Sequence, residues 1–192
     1  MNTKIAIASL SNRGFRPETV KSLLELKCPY EKEIIIATQG YHIAENRNFI
    51  ATKAIKENCD YIFTVDDDMI FPSDILEKML AHKKDIVGVA YHPRFEIDKN
   101  THKPLDKTHI ITLKDKGSKE LFECEAVGTG VMLINTKILH EIPRPWFSFK
   151  NHELGYTTQG EDWWFCEKAI KAGFKVFCDP SFKIGHIGTK IY

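Results

Sequence analysis

Three adjacent carboxylates follow directly after an apolar segment of this sequence. Residues 61–65 read Tyr-Ile-Phe-Thr-Val, and Asp66, Asp67 and Asp68 come next. Because side chains alternate across a strand, continued extended geometry would point Asp66 and Asp68 the same way and Asp67 the other. Like charges repel, so converging carboxylates at the carboxyl end of a parallel strand predict a site for Mg²⁺ or Mn²⁺. A solvated acidic turn is the alternative.

Glu161, Asp162 and His186 are the next candidates, because their residue types suit acid–base and metal chemistry. Glu161 and Asp162 open a segment with helical spacing, where acids also stabilise the helix dipole without any catalytic role. His186 lies between Gly185 and Gly188. A single histidine is more often structural than a ligand, but beside two aspartates an imidazole favours Mn²⁺ over Mg²⁺.

Gly128, Thr129 and Gly130 form a small-residue loop before an apolar strand. Glycines at such a position allow the backbone to approach a ligand closely. The loop is not a dinucleotide fingerprint, because the third glycine and the following helix are missing. The sequence also contains no phosphate-binding loop of the Gly-x-x-x-x-Gly-Lys type and no nucleophilic-serine elbow.

The elements that must position these residues alternate between strands and helices, which predicts an α/β fold built on a parallel sheet. Pro17 begins the first predicted helix, Ser73 is the predicted N-cap of a helix through Leu80, and Gly173 ends the last helix. The other predicted helices cover residues 44–58, 138–142 and 161–172. The predicted strands cover residues 5–10, 33–38, 61–65, 85–90, 122–125, 127–135, 174–178 and 182–186.

Length and composition limit the number of domains and the class of protein. The chain has 192 residues, of which 43% are hydrophobic and 28% charged, values that predict one globular domain. A net charge of +1 excludes a strongly basic nucleic-acid-binding protein. Five cysteines without a Cys-x-x-Cys pair favour reduced thiols. No apolar run reaches the roughly 18 to 20 residues that span a bilayer, so we expect a cytoplasmic protein, at most peripheral to a membrane.

The ordered motifs resemble those of glycosyltransferases of the A-type fold, in particular short members similar to family 2, over nearly the whole chain. Residues 66–68 match the Asp-x-Asp motif and residues 128–130 the glycine-containing loop. Residues 161 and 162 match the acidic pair on the acceptor side, and His186 matches the C-terminal metal histidine. The resemblance implies a single Rossmann-like nucleotide-diphospho-sugar transferase domain over residues 1–192. Its mixed, mostly parallel central sheet is flanked by helices, with a nucleotide-binding half near 1–91 and an acceptor and metal half near 120–192.

The resemblance also implies roles for individual residues. Asp162 would be the catalytic base, and the Mn²⁺ or Mg²⁺ cofactor would be held by Asp66, Asp68 and His186. The implied nucleotide-binding residues are Ser9, Gln39, Arg47, Asp66 and Asp67. The implied donor- or acceptor-sugar residues are Gly128, Thr129, Gly130, Glu161 and Trp146, the last as a stacking face for a sugar ring. The implied partner is a nucleotide-diphosphate sugar, with a UDP-sugar favoured over a GDP-sugar.

The sequence does not identify the acceptor molecule. Residues 92–119 contain seven Lys or Arg, three His and four acids, a basic segment that suits a lipid-linked saccharide, a glycan, a protein or a modified nucleic acid base. A solvated surface loop is an equal interpretation. Gln39 stands near the place where many relatives carry an acid that recognises the base.

The residue chemistry fits a metal-dependent transfer of a sugar to an acceptor hydroxyl. A divalent ion stabilises the departing nucleoside diphosphate, and Asp162 as general base would give inversion at the anomeric carbon. If configuration is retained, Asp162 would bind sugar hydroxyls instead. The alternatives are an Asp-x-Asp phosphohydrolase, for which Ile70 stands where Thr or Val is expected, and a non-catalytic nucleotide-sugar binding module.

Overall fold

Strands and helices alternate through the first half of the chain, as the sequence predicts. The computed structural model describes residues 3–11, 14–38, 42–91 and 119–188, together with the backbone of 110–111. The elements of the first half are β1 (Lys4–Leu10), α1 (Pro17–Glu25), β2 (Glu31–Ala37), α2 (Ile43–Lys56), β3 (Tyr61–Asp66), β4 (Met69–Ile70), α3 (Ile75–Ala81) and β5 (Ile86–Val89).

The second half is richer in short strands than the sequence predicts. Its elements are β6 (Ile110–Ile111), β7 (Phe122–Cys124), β8 (Ala126–Val127), β9 (Val131–Asn135), a 3₁₀ helix (Thr136–His140), β10 (Lys150–Asn151), β11 (Thr157–Gln159), α4 (Glu161–Lys171), β12 (Val176–Asp179) and β13 (Gly185–His186).

Two features of this half differ most from the prediction. The strand predicted over residues 127–135 is two strands, β8 and β9, because the chain turns at residues 128–130. The hairpin of β10 and β11 was not predicted, since its strands are too short and polar to show a period of two. Except for β6 and Lys119, the basic segment at 92–119 lies outside the described residues.

A seven-stranded sheet in the order β2-β1-β3-β9-β5-β12-β7 forms the centre of the fold. The strands β1, β2, β3, β5 and β12 run in one direction, and β9 and β7 run in the other. This confirms the predicted mixed, mostly parallel sheet. In register, Leu10 lies beside both Ala37 and Asp66, so β1, β2 and β3 end along one line at the carboxyl edge of the sheet.

Both faces of the sheet are covered. In β1, Ala6 and Ala8 belong to the hydrophobic cluster on one face, and Ile5 and Ile7 belong to the cluster on the other. The first cluster includes residues of α2, the 3₁₀ helix and α4, and the second includes residues of α3. A central strand must be apolar on both sides in such a layered fold. Within the described residues, no helix is long and apolar enough to cross a membrane.

Gly88 packs closely against Val127, the residue that precedes the glycine-containing loop. A Cβ atom at Gly88, in β5, would lie 2.4 Å from Cγ2 and 2.7 Å from Cβ of Val127, the residue before the loop. Real Cβ atoms do not approach other atoms so closely, so any larger residue at position 88 would push the loop away from the sheet.

We therefore expect Gly88→Ala to lower the free energy of unfolding by about 1–3 kcal/mol through overpacking. Urea denaturation of the single variant, and of the same change in a Val127→Ala background, measures the effect. The added cost should be smaller in the second background, because the nearest methyl group is gone. An equal cost in both backgrounds would mean that the contact with Val127 is not its cause.

Candidate active site

Asp66 ends β3 at the carboxyl edge of the sheet. Its backbone N–H donates a hydrogen bond of 2.9 Å to the carbonyl oxygen of Gly130, so the glycine-containing loop lies beside it. Its carboxylate accepts hydrogen bonds from Nη2 of Arg47, at 3.2 Å for Oδ1 and 3.4 Å for Oδ2. The fold thus brings a carboxylate from the end of β3, a guanidinium from α2 and the glycine-containing loop of the second half to one place.

Arg47 is the centre of this cluster. Its side chain is only 4% exposed, and its Nε donates a hydrogen bond of 3.1 Å to Oε1 of Glu161 at the start of α4. Burial alone would lower the pKa of Arg47, but the carboxylates of Asp66, Glu161 and Asp162 outweigh it and raise that pKa. The guanidinium therefore stays charged and connects α2, β3 and α4.

Glu161 and Asp162 lie in the first turn of α4, where the helix dipole favours negative charge. Burial raises the pKa of both carboxyl groups, and the nearby charge of Arg47 opposes the rise. Oδ1 of Asp162 accepts a hydrogen bond of 2.8 Å from the backbone N–H of Trp163. A carboxylate with a raised pKa is a stronger proton acceptor at neutral pH than an ordinary aspartate.

Asp67 holds the loop after β1. Its Oδ2 accepts a hydrogen bond of 2.6 Å from Oγ of Ser11, and its carbonyl oxygen accepts one of 2.9 Å from the N–H of Arg16. The loop after β1 is thereby joined to the end of β3. Ser11 was not among the predicted residues; its place directly after β1, at the same edge, is the signal that could have identified it.

Asp68 and His186 come together, as predicted. Asp68 is 1% exposed, and its Oδ1 lies 3.5 Å from Nε2 of His186. The short antiparallel pair of β4 and β13 places the histidine there, and the N–H of Ile187 donates a hydrogen bond of 2.9 Å to the carbonyl oxygen of Asp68. One buried carboxylate and one imidazole are a donor pair that fits Mn²⁺.

Asp66, the third predicted metal ligand, does not have the same partner as Asp68. Strand β3 ends at Asp66 and the chain turns at Asp67 and Asp68, so extended geometry does not continue through the motif. Asp66 pairs with Arg47, whereas Asp68 approaches His186. Across the described stretches of the chain, no three His, Cys, Asp or Glu side chains are grouped closely enough to hold a metal ion. The shared metal set of Asp66, Asp68 and His186 stays a prediction.

Tyr91 explains why residue 130 is glycine. The hydroxyl of Tyr91 accepts a hydrogen bond of 3.0 Å from the N–H of Gly130, and a Cβ atom there would lie 2.7 Å from that oxygen. The ring of Tyr91 also packs edge-on against the imidazole of His186, with the centroids 5.3 Å apart. Sequence reasoning missed Tyr91, although its place just after β5 at the carboxyl edge was a usable signal. Thr129, between the two glycines, is buried.

Two predicted ligand residues are buried, and a third lies outside the described part of the chain. Ser9 is buried, and its Oγ donates a hydrogen bond of 2.6 Å to the carbonyl oxygen of Val65. Trp146 is 2% exposed, and its Nε1 donates to the carbonyl oxygen of Leu139 at 2.8 Å. Its ring therefore belongs to the core and offers no face to a sugar, which corrects the predicted stacking role. Gln39 lies outside the described residues.

Comparison with known proteins agrees with this architecture. No protein-family model and no curated protein matches the sequence. Among solved structures, A197 from STIV superposes with a TM-score of 0.64 at 18% identity, covering 96% of this chain and 85% of that one. S. aureus TarS 1–349 in complex with UDP-GlcNAc superposes with a TM-score of 0.53 at 12% identity, covering 100% of this chain and 60% of that one. GalNAc-T7 with UDP, GalNAc and Mn²⁺ superposes with a TM-score of 0.54 at 12% identity, covering 100% of this chain and 44% of that one.

The chain has the A-type glycosyltransferase fold, which confirms the predicted fold class and the family resemblance at the level of the fold. It spans 60% of the length of TarS 1–349 and 44% of the length of GalNAc-T7.

Removal of Arg47 should strongly destabilise the fold. We expect Arg47→Met to lower the free energy of unfolding by about 3–5 kcal/mol, because it leaves Glu161 buried without its cation. Burial raises the pKa of Glu161, so the folded protein loses stability as the pH rises through the range between the unfolded and folded pKa values of this group. The loss of unfolding free energy in the variant should therefore be smaller in acid, where Glu161 is protonated. Urea unfolding at several pH values measures both effects.

Arg144→Met is the matched control. Arg144 is exposed and lies 4.4 Å from the centroid of the Trp146 ring, so its loss should cost about 1 kcal/mol or less and show no such pH dependence. Equal costs for the two variants would contradict a structural role for the Arg47 cluster.

Proposed function

We propose that this chain is a metal-dependent glycosyltransferase, which moves a sugar from a nucleotide-diphosphate donor to an acceptor hydroxyl. The observation that carries the proposal is the ion-paired cluster in which Arg47 joins Asp66 to Glu161 at the carboxyl edge of an A-type fold. Open α/β sheets bind ligands at that edge. Residues 1–91 would supply most of the donor side, and residues 120–192 the acceptor side and the metal histidine.

The proposed donor is a UDP-sugar. Two of the similar structures hold UDP-GlcNAc or UDP with GalNAc, which supports a uridine donor over a guanosine one. The proposed nucleotide-binding residues are those that the family resemblance implies, namely Ser9, Gln39, Arg47, Asp66 and Asp67. Because Arg47 is buried between carboxylates, its part is to hold Asp66 in place for the ligand.

A divalent ion is the proposed cofactor, and Mn²⁺ is present in one of the similar structures. Asp68 and His186 would hold it, because they already supply a carboxylate and an imidazole 3.5 Å apart, and Asp66 is the proposed third ligand. When bound, the ion would stabilise the negative charge that develops on the leaving diphosphate.

Asp162 is the proposed general base. Its carboxylate would take the proton of the acceptor hydroxyl while that oxygen bonds to the anomeric carbon. The bond from the anomeric carbon to the diphosphate oxygen breaks, and its electron pair leaves with the nucleoside diphosphate. Attack from the face opposite the leaving group inverts the anomeric configuration. The neighbouring Glu161, held by Arg47, fixes the first turn of α4 and with it the position of Asp162.

Replacing Asp68 should abolish metal-dependent donor binding. We expect Asp68→Asn to keep the fold, since the amide has nearly the same shape, and to lose the rise in melting temperature that UDP and Mn²⁺ together give the unmodified protein. A thermal-shift screen of nucleotides and nucleotide sugars with and without Mn²⁺ measures this. Asp60→Asn is the control, because Asp60 precedes β3 at the opposite edge and accepts a hydrogen bond from the N–H of Lys4. An unchanged Mn²⁺ requirement in the Asp68 variant would refute the assignment.

Replacing Asp162 should remove turnover but spare donor binding. Asp162→Asn can still accept the N–H of Trp163, so we expect a normal fold and a loss of about 10²- to 10⁴-fold in UDP release from the donor, with water or sugar as acceptor. Because burial raises the pKa of Asp162, kcat/KM of the unmodified enzyme should rise with pH through a midpoint above the usual aspartate value of about 4. Unreduced turnover in the variant would contradict the role, as would phosphate release in place of UDP.

A further inference from the structure

A pocket with a mixed apolar and polar lining lies beside α4, and its lining includes neither Arg47 nor the three aspartates. It has a volume of about 330 Å³. One wall is a single face of α4, and the opposite wall comes from the segment that enters β8 and from the end of β11. The lining residues are Glu125, Ala126, Gln159, Trp163, Glu167, Ile170 and Lys171.

The α4 residues that line the pocket are spaced so that they share one side of the helix. Trp163, Glu167, Ile170 and Lys171 are four, three and one residues apart in turn, which puts them on one side of the helix. Trp163 is half-buried against the hydrophobic core, so one part of its indole is fixed and another lines the pocket. Trp164, the next residue, does not line the pocket; its ring faces Nζ of Lys150 at 4.6 Å and Nζ of Lys171 at 5.1 Å.

Gln159 lines the pocket and carries a buried acceptor that has no donor within the described part of the chain. Oε1 of Gln159 is buried and accepts no hydrogen bond from any residue that the structure describes. Buried polar atoms in proteins nearly always have a partner, so this oxygen is suited to a ligand that brings a hydroxyl or amide hydrogen. Gln159 stands three residues before Asp162, the proposed base.

The charges of the pocket largely cancel. Glu167 accepts hydrogen bonds from Nζ of Lys171 at 2.7 Å and from Nζ of Lys150 at 3.1 Å. Hydrogen bonding with Lys171, and also with Lys150 and Gln159, lowers the pKa of Glu167 to about 2, so this acid stays ionised and paired. Only the exposed Glu125 adds a carboxylate at the rim. An anionic ligand would meet that carboxylate, and a cationic one would find Glu167 already neutralised.

We propose that this pocket binds one neutral sugar unit of the acceptor, with Trp163 as the stacking face and Gln159 and Glu125 as hydrogen-bond acceptors for its hydroxyls. An aromatic face suits the C–H side of a sugar ring, and side-chain oxygens suit its hydroxyls. The volume is at the small end of the range for small-molecule sites, about 300–1,000 Å³, which fits a single ring. The inference rests on the proposed function and narrows its acceptor to a neutral saccharide.

The test is a titration of the full chain followed by the NMR signals of its tryptophan indole N–H groups. The probes are neutral trisaccharides built from glucose, galactose, mannose or N-acetylglucosamine, with a uronic-acid trisaccharide and glucose 6-phosphate as charged counterparts. The chain has three tryptophans, so each signal can be assigned with one phenylalanine variant. We expect saturable shifts of the Trp163 signal with at least one neutral trisaccharide, and none with the charged probes.

Matched variants locate the binding. Gln159→Leu and Trp163→Phe should each weaken binding by about 3- to 10-fold, the loss expected for one hydrogen bond or part of a stacking face. Isothermal titration calorimetry measures the affinity of every variant, because Trp163→Phe removes the indole signal itself. Trp164→Phe, on the adjacent face of the same helix, should leave affinity within about twofold. A fluorescence or circular dichroism melt checks that each variant is folded, and Glu125→Gln, at an exposed position, gives a second test without disturbing the core.

The outcomes separate this inference from the proposed function. Binding at Trp163 without any UDP release from a donor would support the pocket and refute the transferase. Donor turnover with no shift of the Trp163 signal by any neutral trisaccharide would overturn the pocket and leave the transferase standing. Preferential binding of the charged probes, or equal losses in the Trp163 and Trp164 variants, would also overturn it.

Discussion

The candidate site depends on one buried cation. Arg47 comes from α2, but its two nearest acids come from the end of β3 and the start of α4. A guanidinium holds its charge even when buried, and its planar fork lets separate nitrogens bind separate carboxylates. Without it, two acids would repel each other at the edge of the sheet and one of them would be buried alone. The pairing is therefore a condition for bringing the first and second halves of the chain together there.

The three aspartates after Val65 divide their contacts among the surrounding elements. Asp66 reaches Arg47 and the glycine-containing loop, Asp67 holds the loop after β1, and Asp68 meets His186 in β13. One short segment is thus bound to four separate parts of the fold. This explains why a turn carries three adjacent acids: each of them has a different structural partner, besides any ligand that the site binds.

Helix α4 joins the two proposed substrate sides. Its first turn carries Glu161, which Arg47 connects to the donor side, and Asp162, whose pKa burial raises. Its next residue, Trp163, lines the pocket on the other side. The proposed base and the proposed acceptor pocket lie on the same helix, so their relative positions are fixed, as a transfer between two bound molecules would require.

The sequence by itself determined the kind of fold and most of the residues at the carboxyl edge. Apolar runs such as that of β3 are long and β-branched enough to identify the strands, and strand ends in an α/β sheet point to the site. It could not determine the two-residue strand β4 or the pairing of β4 with β13, because such a short pair exists only through contacts between distant segments. It gave Trp146 a ligand role that burial removes, and it left Tyr91 and the partners of Arg47 unrecognised. Burial and side-chain pairing depend on what the rest of the chain packs against each residue, and only the tertiary structure decides that.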